Sequence, residues 1–279
     1  MHIFFVFLFG SIIGSFLNVV ILRLHTGRSL NGRSHCMSCG TQLRTRDLFP
    51  LISYLALQGR CFLCTSRISS RYFLVEALTG ALFALIALQF FTTPFLWALF
   101  SIVAAILVVV FVYDLRHTII PNELTIMLTV CAGAYISYQY MQGVRSELAY
   151  SVAAALSASL IFASLWFFSK GRWIGLGDAK LMFPLALFLG TSGALSFIVL
   201  AFWIGTVYVG VIALTQTLAK RLIHNHFSLP QYTMRSEVPF GPFLIAGFLI
   251  VLLGHVDILI LIQSFADATT RLVYGFMLR

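Results

Sequence analysis

Apolar residues run along this chain in long stretches, not in the alternation of a half-exposed strand. The runs fall near Ile3–Leu22, Phe73–Phe91, Phe95–Tyr113, Ile119–Tyr140, Leu148–Phe168, Leu181–Leu189, Ala194–Leu218 and Phe240–Ile262. A bilayer core takes about 20 helical residues, so most of these runs match one crossing each. The sixth is too short to cross alone; either residues from Gly175 onward extend it, or it enters beside other helices, where irregular backbone is tolerated. The pattern predicts an all-α, polytopic membrane bundle of about eight transmembrane helices. The one long polar interruption divides it into a first transmembrane helix at 1–22, a loop domain at 23–71 and a membrane-embedded helical bundle at 72–279.

Composition agrees. Hydrophobic residues make up 60% of the chain and charged residues 10%, against about 25% charged in soluble domains. The net charge of +9 does not indicate nucleic-acid binding, because the basic residues cluster in loops flanking the apolar runs, where they set membrane orientation. The segment Arg23–Arg71 holds eight arginines and one acid, Asp47, and is placed in the cytoplasm. Alternate crossings put Arg116 and His117, Lys170–Lys180 and Lys220–Arg235 on the same side. The opposite loops at Thr92–Pro94 and Gly190–Gly193 carry no charge, the one at Gln142–Glu147 has a single arginine, and the exposed tail with Arg271 and Arg279 is a mild exception. The first run has no basic segment before it and no small-residue cleavage site after it, so it reads as a retained helix with its N-terminus outside.

Within the polar loop stand "CMSC" at Cys36–Cys39 and "CFLC" at Cys61–Cys64, in the pattern C-x2-C-x21-C-x2-C. Each C-x2-C turn offers two sulfurs to one side, and two such turns complete a tetrahedron around Zn²⁺. The cytoplasm keeps thiols reduced, which favours metal over disulfide. Four protein ligands close the site, so the zinc expected on Cys36, Cys39, Cys61 and Cys64 is structural. Four unligated cysteines or a redox pair is the plainer alternative.

Only nine Asp and Glu occur in the chain, and two stand at the ends of apolar runs. Asp114 closes the third run in "YDLRHTIIPN", and Asp178 opens the sixth in "GLGDAKL". Ionisable groups at membrane depth are costly and mark functional positions. Paired carboxylates suit peptide hydrolysis by activated water: close together they do not easily both ionise, so one takes a proton from water while the other donates to the scissile group. Gly175 and Gly177 would admit a substrate backbone or bend the chain there. Taken singly, each acid has a structural reading, Asp178 as a helix-start cap and Asp114 as a partner of Arg116. Their shared side favours function.

At these residues the chain resembles the type IV prepilin peptidase family of membrane aspartic proteases. The resemblance rests on ordered blocks: "GSFLNVVILRL" at Gly14–Leu24, both cysteine pairs, "DLFPLISYLALQGRC" at Asp47–Cys61, "ISSRYFLVEALTG" at Ile68–Gly80, D-x6-P at Asp114–Pro121, "GLGDAK" and "PFGPFLIAG" at Pro239–Gly247. It implies a catalytic pair of Asp114 and Asp178 in an inner-membrane, multi-pass aspartic endopeptidase with its active site facing the cytoplasm. The implied substrates are type IV prepilins or type II secretion pseudopilins, cut after the glycine that precedes the mature N-terminus. Members of that family with a four-cysteine loop are typically bifunctional, so the resemblance also implies N-methylation of the new terminus with S-adenosylmethionine. His25 stands where many members carry proline, and Asn122 where aspartate is frequent.

Other residues carry weaker readings. Glu76 supports the active site, binds positive groups of the substrate, or pairs with Arg71 or Arg67. Lys180 holds the carboxylate region electrostatically or anchors at the interface. Asn18 is expected to hydrogen-bond between helices. The alternatives to a protease are a proton-coupled transporter, for which inverted symmetry and midplane acids are lacking, and a non-enzymatic zinc-bearing assembly factor.

Overall fold

A computed structural model describes residues 2–26, 29, 31–222 and 239–258, with 217–222 described by their backbone alone. The basic loop expected over Lys220–Arg235, the end of the last run beyond Ile258, and the tail with Arg271 and Arg279 lie wholly or largely outside the described residues. The helices are α1 (His2–Arg23), α2 (Ile52–Ala56), α3 (Ser70–Phe90), α4 (Pro94–His117), α5 (Asn122–Met141), α6 (Ser146–Ser169), α7 (Leu176–Leu222) and α8 (Gly241–Gly254). Five of them, α1, α3, α4, α6 and α7 over Leu176–Gln216, are long and apolar enough to cross a membrane. The chain is therefore a multi-pass, all-helical membrane protein.

Each predicted run meets a helix, and the sixth and seventh share α7. That helix is interrupted at Gly190, with φ 70° and ψ −167°. This backbone region is essentially closed to residues with a Cβ, so the break falls where the sequence carries a glycine. The first half of α7, Leu176–Leu189, is thus a short helix with its own start and stop.

The chain divides into two compact units, Met1–Tyr113 and Asp114–Arg279. In the first, α1 and α3 pack antiparallel at close range. A Cβ on Gly10 would meet Phe83 Cβ at 2.8 Å, and one on Gly14 would meet the Glu76 backbone at 2.8 Å. Further along, Asn18 Nδ2 donates to Tyr72 O at 3.1 Å, the interhelical bond expected of this buried amide. Val6, Phe83 and Ala87 form a small core, flanked by Trp97 of α4. His25 holds φ 56°, a conformation closed to proline, and its ring nitrogen lies 3.1 Å from the Tyr113 hydroxyl.

In the second unit, α7 is the central element, packed against α5, α6 and α8. Leu181, Met182, Leu185, Phe197, Leu244 and Phe248 are fully buried there. Gly247 lets α8 approach α7, since a Cβ would meet Phe197 O at 2.7 Å. Ser159 of α6 donates to Ala179 O at 2.8 Å, tying α6 to the first turn of α7.

Candidate active site

Two sites emerge, one in each unit. In the polar loop, the cysteine pairs sit on matching turns. The backbone N–H of Cys36 donates to Thr41 O at 2.8 Å and that of Cys61 to Ser66 O at 2.9 Å. Antiparallel bridges His35–Gln42 and Arg60–Arg67 close the two turns. At corresponding places in each turn, Gly40 and Thr65 take positive φ. The four Sγ atoms lie within 4.8 Å of one another, and Cys36 Sγ to Cys64 Sγ is 3.8 Å. A tetrahedron with Zn–S bonds of about 2.3 Å has S–S edges of about 3.8 Å, so the donor set fits such an ion. The backbone N–H groups of Cys39 and Ser38 pull the Cys36 thiol down to about 6. The Ser66 hydroxyl, 3.1 Å from Cys64 Sγ, leads the contacts that lower that thiol. Both effects favour the thiolate that a metal ligand requires.

In the second unit, Asp114 lies in the last turn of α4 and Asp178 in the first turn of α7. Both are buried. Thr118 takes a positive φ and returns its N–H to Asp114 O at 2.8 Å, which ends α4. The chain then passes through Ile120 and Pro121 before α5 begins at Asn122. Ile120 becomes a buried wedge between the acid-bearing segments. A Cβ on Gly177 would meet Ile120 Cβ at 3.0 Å, and one on Gly241 would meet Ile120 Cδ1 at 3.2 Å and Asp114 Oδ2 at 2.6 Å. The two carboxyl groups are near enough for a direct charge–charge interaction. Residues 64 positions apart in sequence are thus brought into one neighbourhood, around Ile120, at the ends of two helices.

The surroundings of the two acids differ. Asp178 Oδ2 accepts from the N–H of Gly175 at 3.1 Å, which is the reach-back half of a capping box. The structural reading of Asp178 therefore holds in part, alongside its closeness to Asp114. Asp114 faces the backbone N–H of Gly241, yet its Oδ2 is buried without a partner in hydrogen-bonding geometry among the described residues. A buried polar atom left unsatisfied is expensive and marks a position at which a reacting group can be held.

The supporting residues fall into three places. Gly175 and Gly177 are at the site, with Gly175 pressed toward Asp178 and Gly177 toward Ile120. Lys180 is exposed and its Nζ donates to Asn122 Oδ1 at 2.9 Å, linking α7 to α5 beside the pair. Glu76 belongs to the first unit, where Oε2 accepts the N–H of Leu51 at 2.8 Å and the Ser15 hydroxyl also contacts it. Gly241 and Ile120 have no individual signal in the sequence. Both lie in blocks that carry the family resemblance, and only packing shows that they shape the carboxylate pocket.

Comparison with known proteins gives a consistent assignment. The Bacterial Peptidase A24 N-terminal domain matches residues 8–90 and the Type IV leader peptidase family matches residues 101–210. A protein of Burkholderia pseudomallei strain 1026b named prepilin leader peptidase/N-methyltransferase is 33% identical over 277 residues, covering 88% of this chain and 84% of that protein. A protein of the same name from Aeromonas salmonicida strain A449 is 30% identical over 282 residues, covering 89% and 90%. A third, from Myxococcus xanthus strain DK1622, is 34% identical over 215 residues, and the match spans 76% of this chain and 63% of that relative's length. No solved structure matches the chain significantly. With both domains in order and relatives matched along most of its length, the chain belongs to the type IV leader peptidase family.

Proposed function

We propose that this chain removes the leader of type IV prepilins or type II secretion pseudopilins through water activated between Asp114 and Asp178. The family and its relatives support prepilin processing and N-methylation. The observation that carries the mechanism is a pair of buried acids whose charges act on each other, one with an oxygen that has no hydrogen-bond partner among the described residues. One carboxylate takes a proton from water as it attacks the scissile carbonyl. The other, protonated, donates to the carbonyl oxygen or the departing amine. No covalent intermediate is required. Gly175, Gly177 and Gly241 keep side-chain volume away from the pair.

The basic loops favour a cytoplasmic face for this site. The bond to be cut then lies at the membrane boundary, with the apolar mature segment in the bilayer and the leader in water. The cut follows the glycine that precedes the mature N-terminus, and the new amine is methylated with S-adenosylmethionine as donor. Zinc on Cys36, Cys39, Cys61 and Cys64 staples a loop that has little apolar mass of its own. Membership of the family leaves the transporter and assembly-factor alternatives without support.

The test is to incubate purified protein with a leader-bearing prepilin in membranes. Asp114→Asn and Asp178→Asn should each slow leader removal by about 10²–10⁴-fold, the usual worth of a general acid or base. Methylation of a substrate supplied without its leader should continue. If either variant trims the leader at the wild-type rate, the paired-aspartate mechanism is wrong.

A further inference from the structure

The cysteine domain presents an apolar surface that neither zinc nor the peptidase chemistry explains. It is carried by α2 and the residues before it. Phe49, Ile52 and Leu55 are 57%, 64% and 63% exposed, although they stand in a loop otherwise rich in arginine. The opposite side of this segment is fixed to α3. Leu51 donates its N–H to Glu76 Oε2 at 2.8 Å, the Tyr54 ring lies 5.4 Å from that of Phe73, and the Tyr54 hydroxyl donates to Ile68 O at 3.4 Å.

These anchors set the depth of α2. Glu76 lies six residues beyond Ser70, the first residue of α3, which is about 9 Å along the helix axis at 1.5 Å per residue. Helix α3 is one of the apolar crossing helices, and at this same level its Leu74 is exposed. The surface around Leu74 therefore faces lipid. We infer that Phe49, Ile52 and Leu55 continue this lipid-facing surface, so that α2 lies in the headgroup region of the bilayer that α3 spans. The cysteine domain is then held to the membrane by an interfacial contact as well as by the two helices that flank it.

Two observations favour a bilayer over a protein partner. The apolar face belongs to a segment anchored on α3, an apolar crossing helix, at the level of its exposed Leu74. It also sits in a segment with eight arginines and one acid between Arg23 and Arg71, which suits a surface of anionic headgroups. Glu76 takes a positioning role here, because it turns the Leu51 N–H inward and leaves Ile52 and Leu55 outward.

The experiment uses the full chain in vesicles of phosphatidylethanolamine and phosphatidylglycerol, with a trace of phosphatidylglycerol carrying a photoactivatable group high on its acyl chain. Adducts are mapped by mass spectrometry. The peptide covering residues 48–57 should be labelled to within a few-fold of the start of α3, and a variant carrying Ile52→Glu with Leu55→Glu should lose most of that label while α3 keeps its own. The wild-type measurement needs no altered protein, so misfolding of the variant cannot obscure it, and leader removal by the variant reports its fold. Absence of label on 48–57 in the wild type, with α3 labelled, overturns the inference. So does competitive loss of label on adding a prepilin, which would assign the face to substrate.

Discussion

Gly241 offers the sharpest perturbation of the carboxylate pair, because its replacement acts on geometry without removing a reacting group. A Cβ built there would lie 2.6 Å from Asp114 Oδ2 and 3.3 Å from Asp114 Cγ, where ordinary contact begins near 3.4 Å. The methyl group of Gly241→Ala therefore overlaps the carboxylate oxygen by about 0.8 Å, the difference between the 3.4 and 2.6 Å separations. Ile120, at 3.2 Å from the same position, blocks relief on its side. The carboxyl group must turn or move by most of an ångström. Overpacking of this kind costs about 1–3 kcal/mol of stability, which a well-packed bundle can absorb. Misplacement of a reacting group by about 1 Å costs about 10²-fold in rate. We therefore expect kcat for leader removal to fall by about 10²-fold while KM for the prepilin changes little. Gly133→Ala is the control, since a Cβ there meets nothing within 4 Å and alanine in a helix interior stabilises by about 0.5–1 kcal/mol. Assays would follow leader removal and thermal unfolding in parallel. A Gly241→Ala enzyme that is folded and cleaves at the wild-type rate would show that Asp114 does not act from the position described.

Three further outcomes are expected. The wild type should purify with zinc, and the double variant Cys36→Ser, Cys39→Ser should purify without it and be cut more readily by trypsin between residues 32 and 68, as metal analysis and limited proteolysis would show. Gly190→Ala places a Cβ in a backbone region of φ 70° and ψ −167°, so it should cost about 1–3 kcal/mol in thermal unfolding, with kcat of the surviving enzyme unchanged. Glu76→Ala leaves the Leu51 N–H without its partner and should cost about 1–3 kcal/mol with faster proteolysis of the loop, whereas Glu76→Gln keeps an acceptor and should retain most of the protection.

Much of this architecture is legible in the order of residues. Apolar runs long enough for a bilayer become helices because in lipid the backbone must satisfy its own hydrogen bonds. Two C-x2-C pairs predict their own juxtaposition, as a four-thiolate metal site would require; their sulfurs do cluster, and the turns at Cys36–Thr41 and Cys61–Ser66 repeat one geometry. The rarity of acids singled out Asp114 and Asp178, and the gap read as a loop at Gly190–Gly193 proves to be an interruption of one helix, α7, at Gly190.

Other features exist only once the chain has folded. That the two acids meet depends on how the ends of α4 and α7 pack, and no local pattern encodes an approach between residues so far apart. The pressure of Gly241 on Asp114 and the wedge of Ile120 are properties of packed volume; in sequence they are a glycine and an isoleucine among many. Glu76 shows the same limit. Sequence marks it as a costly buried charge, but its partner is the N–H of Leu51, and every residue except proline has such a group. Composition and periodicity thus determined what must be buried in lipid. Only the tertiary structure decided which polar groups meet there, because pairing depends on distances that hydrophobicity does not specify.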